Sequence, residues 1–264
     1  MPGNQKIELR DPVHGPIEVG AAELDVIDAP LFQRLRGVKQ LGFAELVFPG
    51  ALHNRYLHSV GAMNLAGRAF DAAFAAETGL SQDTKAAFRQ IIRLAGLLHD
   101  VGHAPLSHAA EALMPMREDL KLDPAFGYGP GKASHEEMSL KLLLDSPLTQ
   151  VIDGALSPHG FNARHIVAVL GDTDTYCEGD FVSGGVDYRP LLHALVAGEM
   201  DVDRMDYLLR DSLFTGVSYG NYDLHWLLSN LGFVVDEENK ARVAMDLRAL
   251  TSFEHFLLAR YHMF

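Results

Sequence analysis

The stretch Leu94-Ala95-Gly96-Leu97-Leu98-His99-Asp100-Val101-Gly102-His103 decides how this chain is read. An apolar helical run ends there on a histidine and an aspartate side by side, and Gly102 then breaks the regular backbone. A helix packed into a core seldom stops on such a doublet unless both side chains are used. A neutral imidazole and a carboxylate are both good ligands for a divalent transition metal. Two more residues of the same kinds lie far off in sequence: His58, in His53-Asn-Arg-Tyr-Leu-His58, and Asp203, in Asp201-Val-Asp-Arg-Met-Asp-Tyr207. Each alone has a plainer reading. His58 would be a satisfied helix histidine, Asp100 a cap, and Asp203 a charge favoured near a helix N-terminus. The four together suit a single metal ion.

Working outward, apolar residues recur at helical spacing through most of the chain. Leu31, Leu35, Val38 and Leu41 predict a helix after Pro30. Further helices are expected over Arg55–Thr78 with a stop at Gly79, then Thr84–Leu98, Ala163–Leu170, Pro190–Gly198, Val202–Leu213 and Leu247–Phe264. Ser134-His-Glu-Glu137 is a capping box and puts His135 in the first turn of its helix. Phe233 to Met245 reads as a small hairpin, Lys6 to Val19 as an extended segment or loop, and Gly42 to Asn54 as a turn or short hairpin. Met114 to Lys132, with three Pro and three Gly, reads as a loop. The expectation is a mainly α helical bundle with small β-hairpin decorations, one domain over residues 1–264. A last helix without a stop signal suggests a chain truncated at its C-terminus.

Spacing also groups the polar residues. His108 and Glu111 stand i,i+3 and can share a face. Asp203, Tyr207 and Asp211 step by four along one helix, with Arg204 at the edge, a stripe that makes a poor core face and a good wall for a polar pocket. His14, His159, His165, His193, His225, His255 and His262 have no such company and are assigned to structure or surface.

Composition narrows the function. The chain has 264 residues, 48% hydrophobic, with 35 acidic against 22 basic residues and a net charge of -13. So acidic a chain repels a phosphate backbone, which makes bulk nucleic-acid binding a poor reading. One cysteine, Cys177, allows no internal disulfide and fits a reducing compartment. No stretch approaches the roughly 20 apolar residues of a membrane helix. The first residues carry no secretory pattern, so a cytoplasmic location is expected.

The H…HD…D pattern of His58, His99–Asp100 and Asp203 resembles the signature of HD-domain metal phosphohydrolases. Longer stretches are more specific: Asp11-Pro-Val-His-Gly15, Phe32-Gln-Arg-Leu-Arg36, Lys39-Gln-Leu-Gly42, Phe48-Pro-Gly50, His53-Asn-Arg55, His99-Asp-Val-Gly-His-Ala-Pro-Leu-Ser-His108 and Asp201-Val-Asp-Arg-Met-Asp-Tyr207. They resemble the dNTP triphosphohydrolase branch, which includes bacterial dGTPase-like enzymes and the sterile-alpha-motif and HD-domain dNTPases. No sterile-alpha-motif domain is present in the sequence.

The resemblance implies a metal (Fe, Mn, Zn, Co or Ni) on His58, His99, Asp100 and Asp203, with Mg accompanying the nucleotide as a further option. It implies dNTP hydrolysis at the α-phosphate, giving a deoxynucleoside and triphosphate. His103, His108, Glu111 and His135 would serve catalysis, His108 being favoured as general acid and His135 the competing choice. Arg55, Arg204 and Arg260 would face the triphosphate, and Gln40, Leu41, Tyr207 and Asp211 the deoxyribose. A family tyrosine expected about two helical turns past Arg260 has no counterpart before Phe264. Asp28, Gln33 and Arg36 match positions that bind a nucleotide effector in activated members, though Ile7, Glu8 and Arg10 depart from that pattern. Homo-oligomers are expected. The rival readings are an HD-type phosphodiesterase or nucleotidase, and a nucleotide-sensing module without turnover.

Overall fold

The computed structural model describes residues 7–76, 79–123, 126, 130–173 and 175–263. It opens on an antiparallel hairpin, β1 (Ile7–Asp11) and β2 (Gly15–Val19), with Ile7 opposite Val19 and Asp11 opposite Gly15. The turn is held from within. Asp11 Oδ1 accepts from the backbone N–H of Val13 and of His14, each at 2.8 Å, and Gly15 takes a φ of 73°. Short helices α1 (Ala21–Asp28) and α2 (Pro30–Gln33) follow.

The bundle is built on α3 (Arg55–Ala73) and α4 (Gln82–Leu98), which pack along their length. Asn54 caps α3 by accepting from Leu57 N, and Ser81 caps α4 by accepting from Thr84 N. Helix α3 is buried on nearly every face, as a central helix must be. The short α5 (Arg117–Leu120) precedes α6 (His135–Leu144), which starts on the capping box expected at Ser134 and Glu137. Then come α7 (Pro147–Leu156), α8 (Ala163–Leu170), the two-residue strands β3 (Val182–Ser183) and β4 (Val186–Asp187), and α9 (Arg189–Ala197). Helices α8 and α9 lie against α4. Helix α10 (Val202–Thr215) lies against α3 and brings Asp203 to the site. The chain closes with α11 (Leu224–Ser229), the hairpin β5 (Leu231–Val235) with β6 (Ala241–Met245), and α12 (Leu250–Met263). The core runs through all of these, from Ile17 and Phe32 to Leu94, Ile166, Met205 and Phe256.

The fold is mainly α, as the sequence pattern predicted, with three two-stranded sheets among the described residues, of which β5 with β6 is the hairpin expected over Phe233–Met245 and β3 with β4 was not anticipated. Several local readings need correction. The helix expected from Leu31 to Leu41 stops being α after Gln33, continues as a 3-10 turn over Arg34–Gly37, and gives way to extended chain at Val38. There Lys39 bridges Asn54 and Gln40 N donates to His53 O at 3.0 Å, so the backbone is spent on a long-range pairing. Helix α3 ends at Ala73, well before Thr78, which lies outside the described residues. Lys6 and Phe264, the outer bounds of two expected elements, also lie outside them. The Met114–Lys132 loop carries α5 and a bridge from Met116 to Lys132. Helices α1, α7 and α11 were not anticipated. No helix among the described residues is long and apolar enough to cross a membrane.

Candidate metal centre

His58 is delivered from the first turn of α3, His99 and Asp100 from the end of α4, and Asp203 from the first turn of α10. Donor atoms of His58, His99 and Asp100 lie within 4.8 Å of one another, and Asp203 Oδ1 approaches both imidazoles. His58 Nε2 lies 2.9 Å from Asp203 Oδ1, 3.3 Å from His99 Nε2 and 3.6 Å from Asp100 Oδ2. His99 Nε2 lies 3.4 Å from Asp203 Oδ1 and 3.5 Å from Asp100 Oδ1.

The residues fit a divalent metal on two grounds. The first is the protonation of the imidazoles. His99 Nδ1 contacts the Gly96 carbonyl at 2.8 Å and His58 Nδ1 contacts the Asp206 carboxylate at 2.8 Å. Both partners only accept, so both Nδ1 atoms carry a proton and both Nε2 atoms face the convergence point, where a metal would displace any proton they hold. The second ground is charge. With neutral imidazoles, the network holds the buried carboxylates of Asp11, Asp100 and Asp206 and the half-buried one of Asp203 against two guanidiniums (Arg55 and Arg210). The two negative charges left over match one divalent cation.

In the metal-free protein the imidazoles take up positive charge as protons instead. Burial works against a charged His58 imidazole, but hydrogen bonds to Asp203 and Asp206 outweigh it and raise its pKa to about 10. His99 is raised as well: burial opposes the charge, and Asp100 and Asp203 overcome it. Burial alone would raise the carboxyls of Asp100 and Asp203, yet the cationic neighbours hold both below the usual range. Asp201 behaves oppositely. Burial, then the nearby Asp203 charge, push it up to about 7.

A second cluster lies alongside. The rings of His103 and His135 stack with centroids 3.8 Å apart, and His108 stands edge-on to both at 4.9 and 5.0 Å. Glu111 Oε1 accepts from His108 Nδ1 at 3.0 Å and from His135 Nδ1 at 2.7 Å, which leaves both Nε2 atoms free. Burial lowers the His103 pKa to about 4, so its ring is neutral at pH 7. Its Nε2 lies 3.3 Å from Asp100 Oδ1 without hydrogen-bond alignment. His108 follows Leu106 and Ser107, two successive non-glycine residues with φ of 70° and 54°, so this turn is held in a costly conformation. Gly102 makes the approach of α6 possible, since a Cβ there would fall on His135 O and Ser139 N.

A cavity of about 520 Å³ opens beside both clusters, lined by His99, Asp100, His135, Asp203, Arg204 and His193 among others. Arg204 turns back to the N-cap Asp201 and to the Gly198 carbonyl. Arg55, expected to face substrate, is buried. It donates to Asp100 and, at 2.8 Å, to Ser107 Oγ, which donates in turn to Lys39 O at 2.6 Å. Asp211 accepts from His53 Nε2 at 2.7 Å, and the Gln40 side-chain oxygen is buried without a partner among the described residues. Leu41 is half-buried next to it in sequence. Burial, and then Asp203, push the Tyr207 hydroxyl up to about 12, so it stays protonated. Arg260 is more peripheral and donates to Glu199 at 3.1 Å. Asp28, Gln33 and Arg36 gather elsewhere: Arg36 lies 3.6 Å above the Tyr56 ring and donates to Gln33 at 2.7 Å, while the Asp28 charge acts on the same tyrosine.

Sequence reasoning missed the residues that hold the candidate ligands: Arg34, which donates to the carbonyls of Val101 and His103, and the group Asp11, His14, Asp206 and Arg210. The side chain of His14, read as structure or surface, is 1% exposed. The signal was present in part, because Asp11, His14, Asp206 and Arg210 fall in or beside the longer stretches quoted above.

A family profile described as the HD domain matches residues 55–211. A Mycoplasma genitalium protein, described as uncharacterized protein MG461, is 29% identical over 98% of this chain and 55% of its own length. A Dictyostelium discoideum protein, described as a deoxynucleoside triphosphate triphosphohydrolase SAMHD1 homolog, is 34% identical over 80% of this chain and 37% of its own. The crystal structure of a phosphohydrolase from Bacteroides thetaiotaomicron superposes with a TM-score of 0.72 at 31% identity, covering 98% of this chain and 53% of that one. The chain thus spans about half the length, or less, of the relatives it matches. Since the matched span runs from the first residue of α3 into α10, and so takes in His58, His99, Asp100 and Asp203, the chain belongs to the HD-domain family.

Proposed function

We propose that this protein is a metal-dependent phosphohydrolase that cleaves deoxynucleoside triphosphates at the α-phosphate, releasing deoxynucleoside and triphosphate. The observation that carries this reading is the convergence of His58, His99, Asp100 and Asp203 beside a cavity that Arg204 and His135 also line. A divalent metal on those ligands supplies Lewis acidity toward a phosphoryl oxygen and makes water a stronger nucleophile near neutral pH. The donor set suits Fe, Mn, Zn, Co or Ni, and Mg can accompany the nucleotide.

The chain's own residues do the rest. Glu111 orients two imidazoles at once, each with Nε2 free. His108, the more exposed of the two, gives a proton to the departing 5′-oxygen, and His135, in the cavity wall, contacts phosphate. Arg204, on release from Asp201 and the Gly198 carbonyl, offers a planar fork to the triphosphate, and Arg260 adds charge at the periphery. Arg55 acts chiefly by holding Asp100. Gln40, Leu41, Tyr207 and Asp211 receive the sugar, Asp211 accepting from the 3′-hydroxyl. A nucleotide effector at Asp28, Gln33 and Arg36, a homo-oligomeric state and a cytoplasmic location belong to the same proposal.

The likeness to the Dictyostelium relative supports this substrate class over a phosphodiesterase, a nucleotidase or a sensing module without turnover. The test is product identity. The metal-loaded protein is incubated with each dNTP, with and without GTP, and the products are separated by ion-pair chromatography. Deoxynucleoside with intact triphosphate supports the proposal. Monophosphate or single phosphate moves the chemistry to another HD subclass.

A further inference from the structure

We infer that the N-terminal hairpin is part of the metal centre, with His14 acting as a positioning residue that sets metal affinity through Asp206 and His58; this rests on the metal-site reading above.

Asp206 receives four hydrogen bonds. His14 Nε2 donates to Oδ1 at 2.6 Å and Arg210 Nη2 donates to the same oxygen at 2.9 Å. His58 Nδ1 donates to Oδ2 at 2.8 Å, as does Arg210 Nε at 2.8 Å. All the groups are buried. The His14 side chain is 1% exposed and those of His58, Asp206 and Arg210 are 0% exposed. Arg210 Nη1 reaches on to Asp11 Oδ2 at 2.9 Å, and Asp11 Oδ1 holds the backbone N–H of His14. The loop therefore closes: Asp11 fixes where His14 sits, and both ends of the hairpin turn grip the Asp206–Arg210 pair.

This geometry goes beyond filling space. A carboxylate that accepts from the far nitrogen of a metal-binding imidazole fixes the ring's tautomer and orientation and raises its basicity. Asp206 can do that only while its two oxygens keep their directions. One donor on each oxygen comes from Arg210, so His14 is what balances Oδ1 against the His58 bond on Oδ2. The hairpin residue lies 192 positions from Asp206 in sequence, so the metal site is incomplete without the chain's first strands. Gly61 on α3 belongs to the same arrangement, because a Cβ there would fall on Asp206 Oδ1 and Arg210 Nη2.

The experiment is a Co2+ titration of the whole chain, followed by calorimetry and by the visible spectrum of the bound ion, for the unaltered protein, His14→Ala, His14→Gln and Ile17→Val. Ile17 is a buried core residue of the same hairpin with no part in the network, and its variant controls for loss of stability alone. Loss of such a supporting partner typically weakens metal binding by about 10–100-fold. His14→Ala is expected to lose affinity on that scale and to shift the Co2+ bands. His14→Gln, whose amide nitrogen can reach the imidazole Nε2 position, is expected to recover most of both, and Ile17→Val to match the unaltered protein. Equal affinity and spectrum in His14→Ala, or an equal loss in Ile17→Val, overturns the inference. Should His14→Ala not fold, histidine-labelled NMR of the unaltered protein decides: the His14 ring signals must shift on Zn2+ loading, and their constancy overturns it. A protein that binds no Co2+ at all fails the metal-site reading first, and is told apart from failure of the His14 inference by the unaltered protein's own titration.

Discussion

His135 Nδ1 and Glu111 Oε1 are 2.7 Å apart, and the same oxygen takes a second bond from His108 Nδ1 at 3.0 Å. One carboxylate thus sets the tautomer of two imidazoles whose surroundings differ. The His108 side chain is 65% exposed and that of His135 17%. The difference separates their roles. Replacing His108 with Ala is expected to lower kcat by about 10²–10⁴-fold with little change in KM, as loss of a proton donor does. The same change at His135 is expected to raise KM more than it lowers kcat. Steady-state kinetics on both variants checks this, and near-normal turnover of His108→Ala would remove it as the general acid.

Metal affinity should rise with pH. In the metal-free protein His58 holds a proton up to about pH 10, because Asp203 and Asp206 outweigh the cost of burial, and His99 is raised for related reasons. A metal must displace those protons, so binding at pH 7 releases at least about one proton. Affinity then gains about tenfold per pH unit per proton released, until the His58 pKa is passed. Calorimetry in buffers of different ionisation enthalpy measures the release, and a pH-independent affinity would contradict it.

Gly61→Ala should be strongly destabilising. The added methyl meets Asp206 and Arg210, both buried and fully bonded to each other. Overpacking alone costs about 1–3 kcal/mol, and a broken buried ion pair adds to it. Urea unfolding gives the value; a loss under about 1 kcal/mol would mean that the network shifts without cost.

Asp211 should contribute to discrimination at the sugar. His53 occupies its Oδ1, and in the proposed sugar site its buried Oδ2 takes the substrate hydroxyl. A dNTP is expected to be turned over about 10-fold or more better than its 2′,3′-dideoxy counterpart, on the scale of one lost hydrogen bond to a charged group. In Asp211→Asn that gap should narrow. An unchanged ratio would take Asp211 out of the sugar site.

The proposed metal ligands were legible because they are rare residues for their setting: a His-Asp doublet at the end of an apolar helix admits few uses. Their supports were not. Asp206 and Arg210 stand i,i+4, the spacing of an ordinary exposed ion pair, and nothing in that spacing tells that His14 and Asp11 will close over them. The α2 region misled for a related reason. Leu31, Leu35, Val38 and Leu41 keep a helical period, yet Lys39 pairs with Asn54 across the chain, and long-range pairing overrides local pattern. Helix α7 escaped because Pro147 reads as a breaker, whereas after the cap Ser146 it stands at the first helical position, where proline is favoured.

Hydrolysis of a dNTP in 18O-labelled water, with mass analysis of both products, tests the central claim most directly. Attack at the α-phosphorus with departure of the 5′-oxygen puts the label in an intact triphosphate and leaves the deoxynucleoside unlabelled. Chelation of the metal should abolish the reaction and its return restore it. A labelled monophosphate, labelled pyrophosphate or labelled single phosphate would contradict the account.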